Sequence, residues 1–260
     1  MNKIQLIAAD LDDSLLRRDK TISDYSLDII KKSREEGIKF AFATGRSELA
    51  SARFFKIILP DAAIYDGGAI VYKGTETVYK RAIPAEITDE ILMTLAERTD
   101  IDELTVCGED ISYSNRPDTV RNSIWRVDYM YFIENDFKKP LGLEALKISI
   151  HTGNQDLAAQ MAEKFPICSH LHYVGGDWYR LGHHEATKEN ALAVLCENMG
   201  IDIKNVAAFG DDYIDLNMLK NCGMGVAMAN AVDDVKAAAK YLCGDCDDDG
   251  IAKWLEEKIN

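Results

Sequence analysis

Four short segments of the chain combine carboxylates with small or basic residues. They are Asp10-Leu11-Asp12-Asp13-Ser14, Thr44-Gly45-Arg46, Asp66-Gly67-Gly68 and Gly210-Asp211-Asp212. Any one of them is more often a solvated turn or a helix cap than a site. If they lie together, their carboxylates repel one another unless they share a proton or bind a cation. Oxygen ligands without nearby Cys or His suit a hard ion, so we expect a Mg²⁺ site beside a bound phosphate.

Each segment directly follows an apolar run of strand length. These runs alternate with amphipathic stretches that Ser23, Gly37 and Pro60 bound in the first part of the chain. The strand-like runs are 4–9, 38–43, 62–65, 206–209 and 225–228, and the helical stretches are 23–36, 47–59, 188–199, 212–219, 232–242 and 251–259. Such alternation predicts an α/β fold with a parallel sheet, whose ligands bind beyond the carboxyl ends of the strands. We therefore expect the four segments to converge at one edge of the sheet.

The pattern changes between residues 84 and 183, where strand-like stretches cluster. The predicted strands are 125–132, 146–151, 167–174 and 178–181, and the predicted helices are 86–99 and 155–165. Clustered strands are typical of an antiparallel sheet with helices on one side. The sequence therefore predicts a core of residues 1–83 and 184–260, and an inserted α+β cap of residues 84–183. Such a cap would act as a lid that excludes water and selects the leaving group.

Taken in order, three of these segments and Lys188 resemble a known set of motifs. The first, second and fourth segments, with Lys188 opening a helix before the fourth, resemble the four motifs of the haloacid dehalogenase superfamily. Residues 225–231 and 249–252 are similar to the Cof-like subfamily of sugar-phosphate phosphatases. This resemblance implies a Rossmann-like core with an inserted cap and a phosphatase acting on small phosphorylated metabolites.

The resemblance also implies roles for single residues. Asp10 would attack phosphorus and form an aspartyl-phosphate, and Asp12 would protonate the leaving oxygen and then activate water. Mg²⁺ would be held by Asp10, the backbone carbonyl of Asp12 and Asp211.

The phosphoryl oxygens would be held by a hydroxyl, backbone N–H groups and an ammonium. The resemblance assigns these to Thr44, the loop at Gly45 and Lys188.

The sequence departs from the family pattern at two positions. Asp13 stands where the family commonly has Gly, and Ile214 replaces the Asn of the fourth motif. Asp215 still matches the second acidic position of that motif, so we expect it to support Asp211. Asp212 is a candidate to compensate locally for the missing amide.

Substrate contacts are expected from both parts of the chain. Arg46 and Asp66 are the candidates in the core. A surface ion pair explains Arg46 equally well, and a plain turn explains Asp66 equally well. Arg180, His183 and His184 lie near the return to the core and are the candidates in the cap. Aromatic residues that could stack on a sugar, or simply pack, are Trp125, Tyr129, Tyr131, Trp178 and Tyr179.

Other metal patterns have simpler explanations. Residues 245–250 with Glu256 fit the acidic positions of an EF-hand loop, but Ala252 stands where such loops want a large aliphatic residue. Cys243 and Cys246 lack a second Cys or His pair for zinc. His170 and His172 could share a strand face as ordinary sheet residues.

Composition narrows the function classes. The chain has 260 residues and a formal charge of −14, which opposes nonspecific nucleic-acid binding. An apolar run of membrane-spanning length is absent from the sequence, its start turns acidic at once, and six cysteines are scattered along it. We expect a complete, cytoplasmic chain with reduced thiols, no membrane or nucleic-acid partner, and a monomer or weak homo-oligomer.

The sequence thus predicts a Mg²⁺-dependent phosphatase for small phosphorylated metabolites, most simply sugar phosphates. Two alternatives stay open: a phosphosugar mutase that passes the phosphoryl group to a sugar hydroxyl, and a noncatalytic sensor of a phosphorylated ligand. The second is motivated by Ile214, and the presence of both Asp10 and Asp12 argues against it.

Overall fold

The structure, a computed structural model, describes residues 3–117, 132–173 and 176–259. The chain folds into two compact units. The first comprises residues 1–46, 53–79 and 187–260, and the second comprises residues 47–52 and 80–186. The sequence placed these boundaries at 83/84 and 183/184, so the junctions differ by three or four residues.

An eight-stranded sheet forms the centre of the first unit. Its strands are β1 (Leu6–Ala9), β2 (Lys39–Ala43), β3 (Ala62–Tyr65), β4 (Ile70–Lys73), β5 (Glu76–Lys80), β12 (Val206–Gly210), β13 (Met224–Ala227) and β14 (Tyr241–Leu242). Their order across the sheet is β14-β13-β12-β1-β2-β3-β4-β5. The first six in this order are mutually parallel, and β4 runs antiparallel to β3. The predicted α/β fold with a parallel sheet is confirmed.

The central strands are short, apolar and buried along their whole length. Every residue of β1, β3, β12 and β13 is buried, as expected for a parallel sheet covered on both faces. The helices of this unit are α1 (Asp24–Glu35), α5 (Lys188–Met199), α6 (Leu216–Asn221), α7 (Asp233–Ala238) and α8 (Gly250–Ile259), together with the last part of α2 (Glu48–Ile58), whose first residues belong to the second unit.

The two longest of these helices each begin after a capping residue, of which Ser23 was predicted from the sequence. Ser23 accepts a hydrogen bond from the N–H of Ser26, and Thr187 accepts one from the N–H of Asn190. Gly200 ends α5 in the left-handed conformation. Thr187 therefore fixes where the helix of Lys188 starts.

The second unit is built on a six-stranded sheet with its own core. Its strands, in sheet order, are β10 (Cys168–His172), β11 (Trp178–His183), β9 (Lys147–His151), β6 (Glu103–Cys107), β7 (Ser112–Ser114) and β8 (Phe132–Glu134). They pair antiparallel except for β7 and β8, which are parallel. Helices α3 (Ala85–Ala96) and α4 (Leu157–Lys164) contribute Ile91, Leu95 and Met161 to this core.

The structure differs from the sequence reading in several elements. Strands β4 to β7 were not predicted from the sequence. The predicted helix 232–242 was wrong beyond residue 238, where the chain turns to pair β14 with β13. The predicted helix 212–219 begins instead as a 3₁₀ turn, Tyr213–Asp215, and continues as α6.

The predicted strand 125–132 lies almost wholly outside the described residues, as do Trp125, Tyr129 and Tyr131. Within the described ranges, no helix is both long enough and apolar enough to cross a bilayer.

The loop after β3 supports the start of α5. Gly68 has a φ of +101°, and a Cβ built there would overlap the backbone carbonyl of Thr187 and approach the nitrogen of Lys188. The loop therefore passes directly against the backbone that carries Lys188. A side chain at Gly68 would have to push that helix start away.

We expect Gly68→Ala to lower the free energy of unfolding by about 2 to 4 kcal/mol, because it combines a left-handed backbone with a backbone clash. Gly74→Ala is the matched control: its φ is +61°, with open space around the added methyl group. It should cost only about 1 kcal/mol. Denaturant unfolding of both variants tests this, and equal losses would contradict the packing argument.

Candidate active site

The sheet order brings the four predicted segments together. Because β12, β1, β2 and β3 are parallel neighbours, their carboxyl ends lie at one edge in that sequence. The residues that follow these ends are Asp211, Asp10, Thr44 and Asp66. Asp10 thus lies between a carboxylate on one side and a hydroxyl on the other.

The segment from Asp10 to Leu16, here called the catalytic loop, forms one wide turn. The N–H of Leu15 donates to the carbonyl of Asp10 over 3.1 Å, and the N–H of Leu16 donates to that of Leu11 over 2.7 Å. Such i→i+5 turns are rare and occur often at functional sites. Asp13 adopts a left-handed φ of 55°. The turn places Asp10 and Asp12 on the same short stretch of backbone.

Lys188 is fully buried between two carboxylates. Its Nζ donates to Oδ1 of Asp10 and to Oδ1 of Asp215, each over 2.6 Å. Lys188 has an exposed fraction of 0% and Asp10 one of 6%. A buried ammonium needs such partners, because the loss of its water shell is otherwise uncompensated.

Asp211 joins this group from the end of β12. One carboxylate oxygen each of Asp10, Asp211 and Asp215 lies within 4.8 Å of the others. Ser14, on the catalytic loop, donates from Oγ to Oδ1 of Asp211 over 2.7 Å. The sequence reading missed this role of Ser14, although its place in the first motif was the available signal.

Burial and mutual repulsion shift the pKa values in this cluster. Burial raises the pKa of Asp10 to about 8, although the charge of Lys188 opposes the shift. Burial, with the charges of Asp10 and Asp215, raises the pKa of Asp211 to about 9. For Lys188, burial by itself lowers the pKa, but its two carboxylate partners outweigh that effect and raise it. If all three carboxylates were ionised, the cluster would carry more negative charge than Lys188 balances.

Asp12 is surrounded by cations. Arg46 donates from Nε and Nη2 to its two carboxylate oxygens, each over 2.6 Å, and Nζ of Lys20 lies 3.3 Å from Oδ1. Burial alone would raise the pKa of Asp12, but these partners lower it below its usual range. Asp12 is therefore ionised, and Arg46, predicted as a substrate contact or a surface pair, forms a largely buried ion pair with it.

The turn after Asp211 is held by the carboxylate of Asp215. Asp215 accepts from the N–H groups of Asp211 and Asp212 over 3.2 and 3.3 Å. Asp212 caps the 3₁₀ turn, accepting from the N–H of Tyr213 over 2.6 Å. Asp215 therefore supports both the loop and Lys188.

Gly210 makes room for that arrangement. A Cβ at this position would overlap the carboxylate of Asp215. The glycine of the fourth motif is thus explained by the close approach of a side chain, since its own φ is not left-handed.

The remaining predicted residues of the first unit form the loops around this cluster. Thr44 is buried, and its Oγ1 accepts from the N–H of Arg46 over 3.1 Å, across Gly45. Asp66 is 1% exposed, and its N–H donates to the carbonyl of Arg46 over 2.8 Å, while the N–H of Gly67 donates to that of Thr44. These contacts join the second and third segments.

Arg180, His183 and His184 lie in the second unit. Arg180 is 5% exposed, donates to the carbonyl of Ala186, and packs so closely on Gly182 that a Cβ there would overlap its guanidinium. The rings of His183 and His184 stack with centroids 4.7 Å apart. Their predicted roles toward substrate stay predictions.

The EF-hand-like segment is neutralised by arginines. Arg18 contacts Asp245 and Asp247, and Arg17 pairs with Asp249. These ion pairs, together with the missing aliphatic residue, argue against calcium binding there. All six cysteines of the chain are free thiols.

His172 occupies an ordinary sheet position, stacked on Tyr179 with ring centroids 4.5 Å apart. His170 is an exposed residue of the same strand.

The residues around Asp10 fit a divalent cation. Three carboxylates and one ammonium, when all are ionised, leave two uncompensated negative charges. Their donors are carboxylate oxygens, which Mg²⁺ prefers. Burial first, and then repulsion between the carboxylates, raises the pKa values of Asp10 and Asp211, and a bound cation would oppose both shifts.

The chain is similar to known proteins over nearly its whole length. The family model of haloacid dehalogenase-like hydrolases matches residues 7–255. A protein of Haemophilus influenzae to which phosphatase activity is ascribed is 28% identical over 262 residues, covering 97% of each chain. The 5-amino-6-(5-phospho-D-ribitylamino)uracil phosphatase YitU of Bacillus subtilis is 25% identical over 265 residues, covering 98% of this chain and 97% of its own.

The fold is also found among solved structures. A subclass IIB sugar phosphatase of the same superfamily superimposes with a TM-score of 0.86 and 22% identity, covering 98% of both chains. At this level of sequence identity, the structural similarity is evidence for the fold alone.

The raised pKa values predict how stability depends on pH in the metal-free protein. Folded Asp10 and Asp211 hold protons up to about pH 8 and 9, whereas their ordinary value is 3.8. The folded state therefore binds more protons than the unfolded state across this window, and the free energy of unfolding falls as pH rises through it.

Asp211→Asn removes one of the two titrating groups, so its stability should decline less steeply between about pH 6 and pH 9. Denaturant unfolding in the presence of a chelator measures both slopes. Added Mg²⁺ should restore more stability to the unmodified protein at pH 9 than at pH 6. Identical slopes for the two proteins would refute the assignment.

Proposed function

The chain belongs to the haloacid dehalogenase-like hydrolase family, and from this premise we propose that it is a Mg²⁺-dependent phosphatase working through an aspartyl-phosphate. That it is a phosphomonoester hydrolase follows from its phosphatase relatives, which match it over nearly its whole length. The metal, the intermediate and the sugar-phosphate substrates are the proposed parts. The observation that carries them is the Lys188 ammonium held between Asp10 and Asp215, next to Asp211.

Asp10 is the proposed nucleophile. In the first step its carboxylate oxygen attacks phosphorus, the bond from phosphorus to the ester oxygen breaks, and the phosphoryl group passes to Asp10. Lys188 keeps this carboxylate oriented and offers its charge to the incoming phosphoryl oxygens. The Thr44 hydroxyl, at the next strand end, and the backbone at Gly45 can donate to the same group.

Asp12 is the proposed acid and base. It gives a proton to the leaving oxygen in the first step and takes one from water in the second, when water attacks phosphorus and releases Asp10. The ion pair with Arg46 holds Asp12 in the ionised form that the second step needs. A phosphate dianion arriving nearby raises the proton affinity of Asp12, which favours the acid form for the first step.

Mg²⁺ would be held by Asp10, the backbone carbonyl of Asp12 and Asp211, with Ser14 orienting Asp211. When bound, it neutralises negative charge shared by the nucleophile and the phosphate. Asp215 and Asp212 support this set through the loop contacts described above.

The proposed substrates are small phosphorylated metabolites with an alkyl leaving group, such as sugar or sugar-alcohol phosphates. The curated relative from Bacillus subtilis acts on a phosphorylated ribityl compound, which is a substrate of this chemistry. Asp12 serves this class because an alkoxide is a poor leaving group without a proton. Arg180, His183 and His184 remain the proposed contacts to the rest of the substrate.

We expect Asp10→Asn to lower phosphate release by more than about a thousandfold, because the amide cannot form the acyl phosphate. Phosphate release from a panel of sugar and nucleotide phosphates, with and without a chelator, measures this. Asp28→Asn, an exposed position of α1, is the matched control and should retain full activity. Undiminished turnover in Asp10→Asn would refute the mechanism.

The intermediate can be tested separately. Acid quenching during turnover should trap phosphate on the unmodified protein and not on Asp10→Asn, and hydroxylamine should release it. Product analysis distinguishes a mutase, which would return an isomeric sugar phosphate and little free phosphate.

A further inference from the structure

Asn230 joins the catalytic loop to the C-terminal part of the chain. Its Nδ2 donates to the carbonyl of Asp13 over 2.6 Å, and its Oδ1 accepts from the N–H of Cys246 over 3.0 Å. The N–H of Cys246 can only donate and the carbonyl of Asp13 can only accept. These two partners therefore fix which way the amide points.

Residues 245–249, here called the acidic turn, hold the chain that follows the catalytic loop. Arg18 pairs with both carboxylate oxygens of Asp245 over 2.8 and 2.9 Å, and its N–H donates to Asp247 over 3.0 Å. Arg17 pairs with Asp249 over 2.9 Å. The acidic turn thus forms ion pairs with two consecutive arginines, and the N–H of Cys246 also positions Asn230.

The segment from Arg17 to Lys20 places the ammonium of Lys20 next to the catalytic loop. The N–H of Arg17 donates to the carbonyl of Thr21, and that of Lys20 donates to the carbonyl of Arg17, closing a tight turn. Lys20 has a left-handed φ of 63°, and its ammonium lies 3.3 Å from Asp12 and 3.0 Å from Asp13. The acidic turn is therefore connected to Asp12 in two ways. One runs through Asn230 and the backbone of Asp13, and the other runs through the segment from Arg17 to Lys20.

Asp13 is the position where this support acts. Its left-handed backbone, with a φ of 55°, is less favourable than an ordinary conformation for a residue with a side chain. A rotation that relieved this cost would turn the peptide groups on both sides of Asp13 and move the carboxyl and carbonyl groups of Asp12. The hydrogen bond from Asn230 opposes that rotation by holding the Asp13 carbonyl in place.

We propose that Asn230, held by the acidic turn, is a positioning residue for proton transfer by Asp12. It acts through the backbone of Asp13 and not on the substrate. The inference rests on the proposed function, because it requires Asp12 to protonate the leaving oxygen. A misplaced acid slows esters whose leaving group needs a proton, and it has little effect on esters that leave without one.

The test compares two esters in two variants. Asn230→Asp has nearly the same shape and can still accept from Cys246, but it turns an oxygen toward the Asp13 carbonyl; Asn230→Ala removes both hydrogen bonds. For p-nitrophenyl phosphate, protonation of the leaving group matters little. We expect kcat/KM for the best alkyl phosphate to fall at least about tenfold more than kcat/KM for this aryl ester.

The ratio of the two kcat/KM values separates positioning from stability. It reports on the steps up to the phosphoenzyme, so the shared hydrolysis step does not mask the difference. Loss of folded protein would lower kcat/KM for both esters by the same factor. If kcat/KM fell equally for the alkyl and the aryl ester in both variants, the inference would be overturned.

Asn205→Ala is the matched control. It removes a 2.8 Å hydrogen bond from Nδ2 of Asn205 to Gln5, just before β12, and should leave the ratio unchanged. A changed ratio in this control would also count against the inference. The unmodified protein tests the proposed function by itself: if it hydrolysed neither ester, that function would fail, and this inference with it.

Discussion

The buried ammonium of Lys188 is the constraint on which the rest of the site depends. Its burial is compensated by Asp10 and Asp215, and the burial of those two carboxylates is compensated by its charge. Three distant parts of the chain are thereby tied to one point: the end of β1, the start of α5 and the turn after β12. Two glycines make this close approach possible, since Gly68 lies against the start of α5 and Gly210 against Asp215.

Charge is distributed unevenly around that point. The chain carries a formal charge of −14, yet its site has to admit an anion. Lys188, Lys20 and Arg46 supply local cations, and each is paired with a carboxylate that has a proposed role or adjoins one that does. Part of the acidic excess has a structural use, because the acidic turn binds Arg17 and Arg18. The cations outside the site thus hold the loop, and those inside it hold the reacting groups.

Individual residues show where sequence reasoning succeeded and where it failed. Lys188 was placed at a helix start because the helical pattern of residues 188–199 begins there, which is local information. Arg46 was ambiguous, because only the fold decides that its guanidinium meets Asp12 across 34 positions. Ser14 and Asn230 were missed as supporting residues, since Asp211 and Asp13, their partners, lie 197 and 217 positions away.

Local sequence signals were enough to predict the alternation of strands and helices, the order of the four motifs and the edge of the sheet where they meet. These follow from hydrophobic periodicity, local capping and the rule that ligands bind at the carboxyl ends of parallel strands. Which carboxylate pairs with which cation, and how Asp215 supports both Lys188 and the turn after Asp211, is visible only in the folded chain. Such contacts depend on distances between segments that are remote in the chain, and residue types alone do not encode those distances locally.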